Sequence, residues 1–415
     1  MDEPAGRERS AYGDAVTSAP RHLADLDLTD PEFLDDPYPT LARARETAPL
    51  VWHEQTGQWL AVTYAAANGL LRDRRFGRLW RDREPAEDFE PFNDLHRNQM
   101  MENEPPAHTR LRSLVASAFA RGHVERLRPR VQVLADGLLD AVEGSTFDLI
   151  ADYAEPLPVA VIAELLGVPE EDWHLLRPWS AGIVAMYEYQ RGPDIGPVAV
   201  AAAGEFSAYM TELAARRRAE PRNDLVSHLV AAEDDGQRLT ADELVASAIL
   251  LLNAGHEASV NAFGNGVVAL LQREDQLVWL RERLDEADTV ATAIEELLRY
   301  DSPLQLFERT AKEDTVLGDV ELPAGGKVAA LLGAANRDPE AFTGPDDLDL
   351  GRRPNAHIGF GAGLHHCLGA PLARMELQIS LPTLLRRCPD LGLAGAPVRR
   401  STFVLRGYSS VPVSR

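Results

Sequence analysis

Long hydrophobic runs are missing from this chain of 415 residues. A membrane-crossing helix needs about 20 uninterrupted apolar residues. The best candidate, VASAILLLNAG (Val245 to Gly255), is too short and has a polar flank. Cysteine is scarce too: Cys367 and Cys388 stand alone, too few for the disulfide framework of a secreted domain. Positive charge is in deficit, with 42 Lys and Arg against 65 Asp and Glu and a formal net charge of −23. Such a chain repels nucleic-acid phosphates and anionic bilayers, so neither nucleic acid nor membrane is an expected partner. The opening residues, MDEPAGRERSAYGDAV, are charged and hold no apolar signal core, which sets the expectation of a cytoplasmic protein. No repeat, low-complexity tract or linker divides the chain, and no flavin or nicotinamide fingerprint occurs in it.

What is present is material for a large helical core, 45% hydrophobic and 26% charged. Residues 1–20 are polar and aperiodic, an expected disordered arm, and 21–415 read as one large domain. Apolar residues recur at three and four along GHVERLRPRVQVLADGLLDAVEG, LPVAVIAELLGVPEEDWHLLRPWSAGIV and GPVAVAAAGEFSAYMTELAARRRAEP, as on amphipathic helices. From Thr240, with Glu243 three residues on as a capping box, a helix of about thirty residues should run apolar nearly all round and be buried. DTVATAIEELLRYDSP is a further helix, ended by Pro303. Strand signals are short: LVWHEQTGQWLAVT, RTAKEDTVLGDVELPAGGKVAALLGAANRD and STFVLRGYSSVPV read as hairpins attached to the helical body. The expected class is mainly α with small β-sheets.

One stretch resists a purely structural reading. HIGFGAGLHHCLGAPLARMEL (His357 to Leu377) sets Cys367 among three histidines in a glycine-punctuated loop just before a helix. Zinc would need a second ligand pair at suitable spacing, which His357 and Cys388 do not supply convincingly. A nucleophilic cysteine needs a spatially adjacent histidine, and sequence neighbours rarely point correctly. A buried structural cysteine is the ordinary reading, but it leaves Gly359, Gly361, Gly363 and Gly369 unexplained. Glycines let the backbone turn closely and let a large flat object approach. One thiolate and one planar ligand together suggest haem.

FGAGLHHCLG (Phe360 to Gly369) resembles the haem-binding signature of the cytochrome P450 superfamily, F-G-x-G-x-H-x-C-x-G. Other motifs follow in the family's order. EELLR carries Glu296 and Arg299, similar to the E-x-x-R helix, and Arg352 in LDLGRR matches the arginine that completes that triad. AGHEAS lies where the oxygen-activation motif belongs, HTRLR resembles the haem-contacting helix of soluble bacterial members, and ANRDPEAF precedes the cysteine loop as expected. An isolated i,i+3 pair means little; the ordered set, from about residue 25 to the end, carries the resemblance.

The resemblance implies a triangular P450 domain over 21–415, with haem b (iron protoporphyrin IX) between the long central helix and the helix after the cysteine loop. Cys367 becomes the axial iron ligand, whose thiolate pushes electron density toward iron and favours O–O cleavage. Cofactor contacts are implied for His108, Arg112, Arg309, His365, Phe360, Gly361 and Ala254, the cationic ones toward propionates. Glu296, Arg299 and Arg352 are implied to maintain the fold. The family's A-G-x-[DE]-T-[ST] here reads Ala254, Gly255, His256, Glu257, Ala258, Ser259. The acid is kept, but alanine replaces the threonine that serves proton delivery. Ser259 turning inward, water linked to Glu257, or a substrate hydroxyl are the three ways to make that good, and Ala258 alternatively makes room for a bulky substrate. Pocket contacts are expected from Phe89, Phe92, Met100, Met186, Tyr187, Leu304 and Phe403, with Gln305 and Tyr189 as polar groups.

The activity so implied is monooxygenation, hydroxylation or epoxidation of a lipophilic small molecule, free or carrier-tethered, in secondary-metabolite biosynthesis. Oxidative coupling, cyclisation or desaturation on the same haem is the alternative, and a non-catalytic haem-binding scaffold is the remaining class. Electrons must come from outside; soluble bacterial members use a ferredoxin and an NAD(P)H-dependent ferredoxin reductase. Arg110, Arg121, Arg353 and Arg374 are the expected docking patch.

Overall fold

The computed structural model describes residues 26–116, 121–189, 192–231, 233–234 and 237–415; the arm expected over residues 1–20 lies outside them. The centre is the helix Ala241–Leu271, 31 residues and therefore about 46 Å long at 1.5 Å per residue. Its start is fixed as the sequence suggests. The Thr240 hydroxyl accepts the Glu243 N–H at 3.1 Å, and the Glu243 carboxylate accepts the Thr240 N–H at 2.9 Å, satisfying two donors that a helix end leaves orphaned. Pro156–Leu166, Trp173–Val184, Ile195–Ala219, Ala287–Tyr300 and Ala370–Arg387 all pack on this helix. Aliphatic side chains from all six form the main core. Among the described residues no helix is long and apolar enough to cross a membrane.

The stretch LPVAVIAELLGVPEEDWHLLRPWSAGIV is two helices rather than one. Gly167 ends the first at φ +82, where any Cβ would overlap the Asp224 side chain, and Pro169 then prevents the helix from resuming.

The hairpin Leu50–His53 with Gln58–Ala61 forms as its alternation predicts. It also joins a five-stranded sheet through a parallel pairing of Gln58–Ala61 with Lys327–Leu331, followed by Leu306–Ala311 and Phe76–Gly77. Val328 and Ala330 enter one apolar cluster while Ala329 and Leu331 enter another, as the two-residue period of a strand buried on both faces requires. The carboxy-terminal segment is no hairpin of its own. Tyr408–Ser410 pairs with Val398–Arg399, and Pro412–Ser414 lies between Gly392–Leu393 and Thr146–Asp148.

A candidate cofactor slot beneath the long helix

Between Leu244 and Leu270 every residue of the long helix is buried except Ala254, Gly255 and Ala258, and of these Ala254 is exposed. Three small residues at i, i+1 and i+4 open one face of a helix that is otherwise closed to water. The cysteine loop is open as well: Gly363, His366 and Cys367 are exposed between buried Ala362 and buried Ala370.

The loop's course depends on its glycines. Gly361 and Gly363 take φ of +71 and +69, and a Cβ on Gly363 would stand 2.2 Å from the Leu71 carbonyl. Only a residue without a side chain lets the loop lie on that backbone. Gly361 N–H donates to Ile358 C=O at 2.8 Å and Cys367 N–H to Phe360 C=O at 2.9 Å, closing the turn. The helix Ala370–Arg387 begins directly behind it. Burial pushes the Cys367 thiol up, while the amides of Gly369 and Ala370 and the charges of Arg112 and Arg374 pull it back. The thiol thus touches solvent and is still penalised by the surrounding protein. Those amides and cations stabilise it once a metal makes it a thiolate.

Two imidazoles and a guanidinium collect nearby, two of them without a side-chain hydrogen-bond partner. His108 is buried with both ring nitrogens unpartnered, its ring 4.5 Å from that of His365. Burial, then the charges of His365 and Arg112, bring His108 down to about 4. Arg309 is 3% exposed, and its guanidinium donates to the carbonyl of its own neighbour Glu308 at 2.9 Å. Burial, and after it the Arg78 charge, lower Arg309 to about 9. A guanidinium rarely accepts such surroundings without a partner. His365 Nε2 lies 2.7 Å from Glu104 Oε1, a partner the sequence did not reveal. Arg112 donates Nη2 to the His366 carbonyl at 2.7 Å, next to Cys367.

These features fit a haem. An opening in the long helix, an exposed thiol on a glycine loop, and a buried imidazole and guanidinium that lack a side-chain partner suit a flat dianionic macrocycle with one thiolate ligand. Among the described residues no three His, Cys, Asp or Glu side chains converge as a metal site.

The proton-delivery residues do not gather as the spacing suggested. Glu257 is buried and paired with Arg400 Nη1 at 2.9 Å. Ser259 is buried, faces away from the opening and hydrogen-bonds Glu376 on the helix Ala370–Arg387. The reason is rotational: successive helical residues point about 100° apart, so a hydroxyl one position after Ala258 cannot replace one at Ala258. Glu376 was missed in the sequence, although a carboxylate within the apolar run LARMELQISL is a visible signal. It is 5% exposed, and burial pushes it up to about 8 against the bond from Ser259. A cavity of about 20 Å³ lined by Tyr153, Ser259, Phe263, Glu376 and Ser380 adjoins it, enough for one water.

Several expected pocket residues are core or scaffold instead. Phe403 packs on Phe33 with ring centroids 5.2 Å apart, and Phe92 stacks on His96 at 4.1 Å. Gln305 is fully buried and donates to the Ser302 carbonyl at 2.7 Å. The segment after the helix Trp173–Val184 is stitched to three walls. The Tyr187 hydroxyl meets His96 Nε2 at 3.1 Å, the Tyr189 hydroxyl accepts from Gln58 at 2.6 Å, and Glu188 accepts the N–H groups of Phe403, Val404 and Leu405 at 3.0, 3.0 and 2.8 Å.

The charged triad assembles as implied. Glu296 and Arg299 are fully buried and joined at 2.7 and 2.9 Å, and Arg352 Nε reaches the same carboxylate at 3.0 and 3.1 Å. The expected docking patch is weaker than the sequence suggested. Arg110 is neutralised by Glu243 and Arg374 by Glu295, while Arg353 donates to Thr292 Oγ1 at 2.7 Å. The Arg121 side chain lies outside the described residues. The partners of Arg110 and Arg374 are 133 and 79 positions away in sequence, so only the fold reveals them.

Comparison with known proteins agrees with this geometry. The family model for cytochrome P450 matches residues 199–389. Cytochrome P450 monooxygenase PikC of Streptomyces venezuelae is 41% identical over 409 residues, covering 96% of this chain and 95% of that protein. The polyketide biosynthesis cytochrome P450 PksS of Bacillus subtilis is 38% identical over 400 residues, covering 92% and 96%. The solved structure of P450BioI in complex with an acyl carrier protein ligated to hexadec-9Z-enoic acid superposes with a TM-score of 0.88 at 37% identity, covering 92% of this chain and 99% of that one.

Proposed function

The chain belongs to the cytochrome P450 family, a family of haem-iron monooxygenases, and from that premise we propose that it oxygenates a lipophilic small molecule of secondary metabolism, with Cys367 as the axial ligand of haem b. The observation that carries the reading is the pair of openings in an otherwise closed interior, Ala254 to Ala258 on the long helix and Gly363 to Cys367 on the loop. Polyketide biosynthesis appears in the name of one relative, and a carrier protein in the complex of another. Both support a metabolite substrate, free or carrier-bound.

When bound, the haem supplies the activation of dioxygen, with a thiolate push that favours O–O cleavage. The protein's own residues do the rest. His108, Arg309 and His365 hold the anionic edge of the cofactor, with Glu104 steadying His365. Gly361 and Phe360 shape the loop that presents Cys367, and Arg112 braces it through the His366 carbonyl. Ala254 and Ala258 leave room above. A methyl group at 258 moves no proton, and neither Ser259 nor Glu257 is free to take over. Protons therefore arrive through water or a substrate hydroxyl, while Glu376 remains a neutral, proton-bearing acid behind the helix, bonded to Ser259. Two electrons come from an external redox partner, a ferredoxin in our reading, at a docking face in which Arg110 and Arg374 take no part as free charges.

The reading is tested by the difference spectrum of the reduced protein under carbon monoxide, followed by product masses after turnover with a ferredoxin system. A red-shifted thiolate band and products heavier by one oxygen are expected. Loss of two hydrogens without gain of oxygen would move the protein to desaturation or coupling, and a folded protein with no such band ends the catalytic reading.

Glu376 adds a pH-dependent expectation. Its carboxyl is held at about 8 against an ordinary 4.5. Between those values the folded chain keeps a proton that the unfolded chain has released. Stability therefore falls as pH rises through this window, by up to about 1.4 kcal/mol per unit. Glu376→Gln removes the proton and with it the slope. Urea titrations at pH 5, 6, 7 and 8 should show the variant gaining on the parent by about 3 kcal/mol in total. Parallel slopes in the two proteins would mean that Glu376 is ionised in the fold.

A further inference from the structure

One carboxylate closes the cysteine loop from both sides. Glu295, on the helix Ala287–Tyr300, receives His357 Nε2–H at 3.0 Å and a two-pronged contact from Arg374, Nε to Oε1 at 2.6 Å and Nη2 to Oε2 at 2.8 Å. His357 precedes Cys367 by ten positions and Arg374 follows it by seven. Each arm is fastened in turn to the loop itself. His357 Nδ1 accepts the Gly359 N–H at 3.2 Å, which fixes the neutral tautomer with its proton on Nε2. The Arg374 guanidinium lies over the Phe360 ring at 4.4 Å, and the Phe360 carbonyl accepts the Cys367 N–H at 2.9 Å. The His357 side chain is 2% exposed. Burial would push Glu295 up, yet the bonds from Arg374 and His357 bring it to about 2, so its charge persists across the working pH range.

We propose that His357, Glu295 and Arg374 form a staple that positions the Cys367 thiolate and sets the electrostatic potential at its iron. The three are positioning residues; none reaches the substrate side. The proposal rests on Cys367 as the axial ligand. The electrostatic part follows from charge counting. Reduction adds an electron at the iron, so nearby positive charge favours it and negative charge opposes it. Glu295 and Arg374 cancel one another as a pair. Glu295→Gln leaves the arginine unscreened, Arg374→Gln leaves the carboxylate unscreened, and His357→Phe changes no charge but opens one arm.

The test uses the haem-loaded, full-length protein. Two quantities are read: the ferric–ferrous midpoint potential, and the rate at which the reduced carbon monoxide complex loses its thiolate band in mild urea. The potential should rise in Glu295→Gln, fall in Arg374→Gln and stay put in His357→Phe. All three should lose the thiolate band roughly tenfold faster than the parent, the scale of one charge-assisted hydrogen bond. His357→Asn keeps a donor and an acceptor and should recover most of the parent's persistence, which also covers a phenylalanine variant that does not fold. Potentials that shift in the same direction, or parental rates of band loss, overturn the staple while leaving the ligand assignment intact. A parent without the thiolate band removes both.

Discussion

Cys367→Ser is expected to fold like the parent and to fail as an oxygenase. The side chain is exposed, and serine occupies the same turn with the same backbone bond to Phe360. Its stability should therefore lie within about 0.5 kcal/mol of the parent. Serine's hydroxyl does not ionise near neutral pH and gives iron a weaker donor. The red-shifted carbon monoxide band should disappear, and turnover should fall by more than the roughly 10–100-fold typical of losing an outer partner of a metal ligand. Circular dichroism checks the fold, the difference spectrum the ligand, and oxygenated product the chemistry. A serine variant that keeps the thiolate band would transfer the ligand role away from residue 367.

The second large effect falls on folding. Arg299 is fully buried and serves two purposes: it neutralises Glu296, and it fills carbonyls at Asn336 (2.8 Å) and Pro345 (2.7 Å). In Arg299→Ala the carboxylate keeps Arg352 as its one charged partner, beside the Asp349 N–H and Asn355 Nδ2, while those two carbonyls lose this donor. Breaking a buried pair costs about 3–5 kcal/mol, and each stranded polar group about 1–3 more. That approaches the 5–15 kcal/mol by which a typical protein is stable at all. Arg299→Ala should accumulate as insoluble or haem-free protein at any growth temperature, and Arg299→Lys should rescue it poorly because an ammonium cannot fork across a carboxylate and two carbonyls. Soluble, haem-loaded Arg299→Ala protein would show that Arg352 carries the triad unaided.

How much of this was legible in the chain depended on distance along it. The long helix could be read because capping box and burial pattern are local. The cysteine loop could be read because its glycines and Cys367 lie within ten residues. The parallel strand pairing of Gln58–Ala61 with Lys327–Leu331 joins segments more than 260 positions apart, and nothing in either strand announces the other. Direction was the other limit. Ser259 looked like a stand-in for a missing threonine, but a helix places neighbouring residues on different faces, and its hydroxyl went to Glu376. Charges misled for the same reason: Arg110 and Arg374 look free in sequence and are paired in space. His365 and Glu104 meet across 261 positions, a contact that only folding creates.

The bond set of Glu188 has a consequence for how this protein can be altered. Its carboxylate is held by three successive amides of the turn Phe403–Leu405, while its neighbours Tyr187 and Tyr189 are tied to the helix Glu90–Asn98 and to the strand Gln58–Ala61. Four segments far apart in the gene therefore behave as one heritable unit. A chimera that imports residues 186–189 from a relative keeps the joint where an acid remains at 188 and its residues at 187 and 189 still meet His96 and Gln58. Recombination along this seam is the route by which an altered binding cavity can be acquired with the rest of the catalyst left as it was.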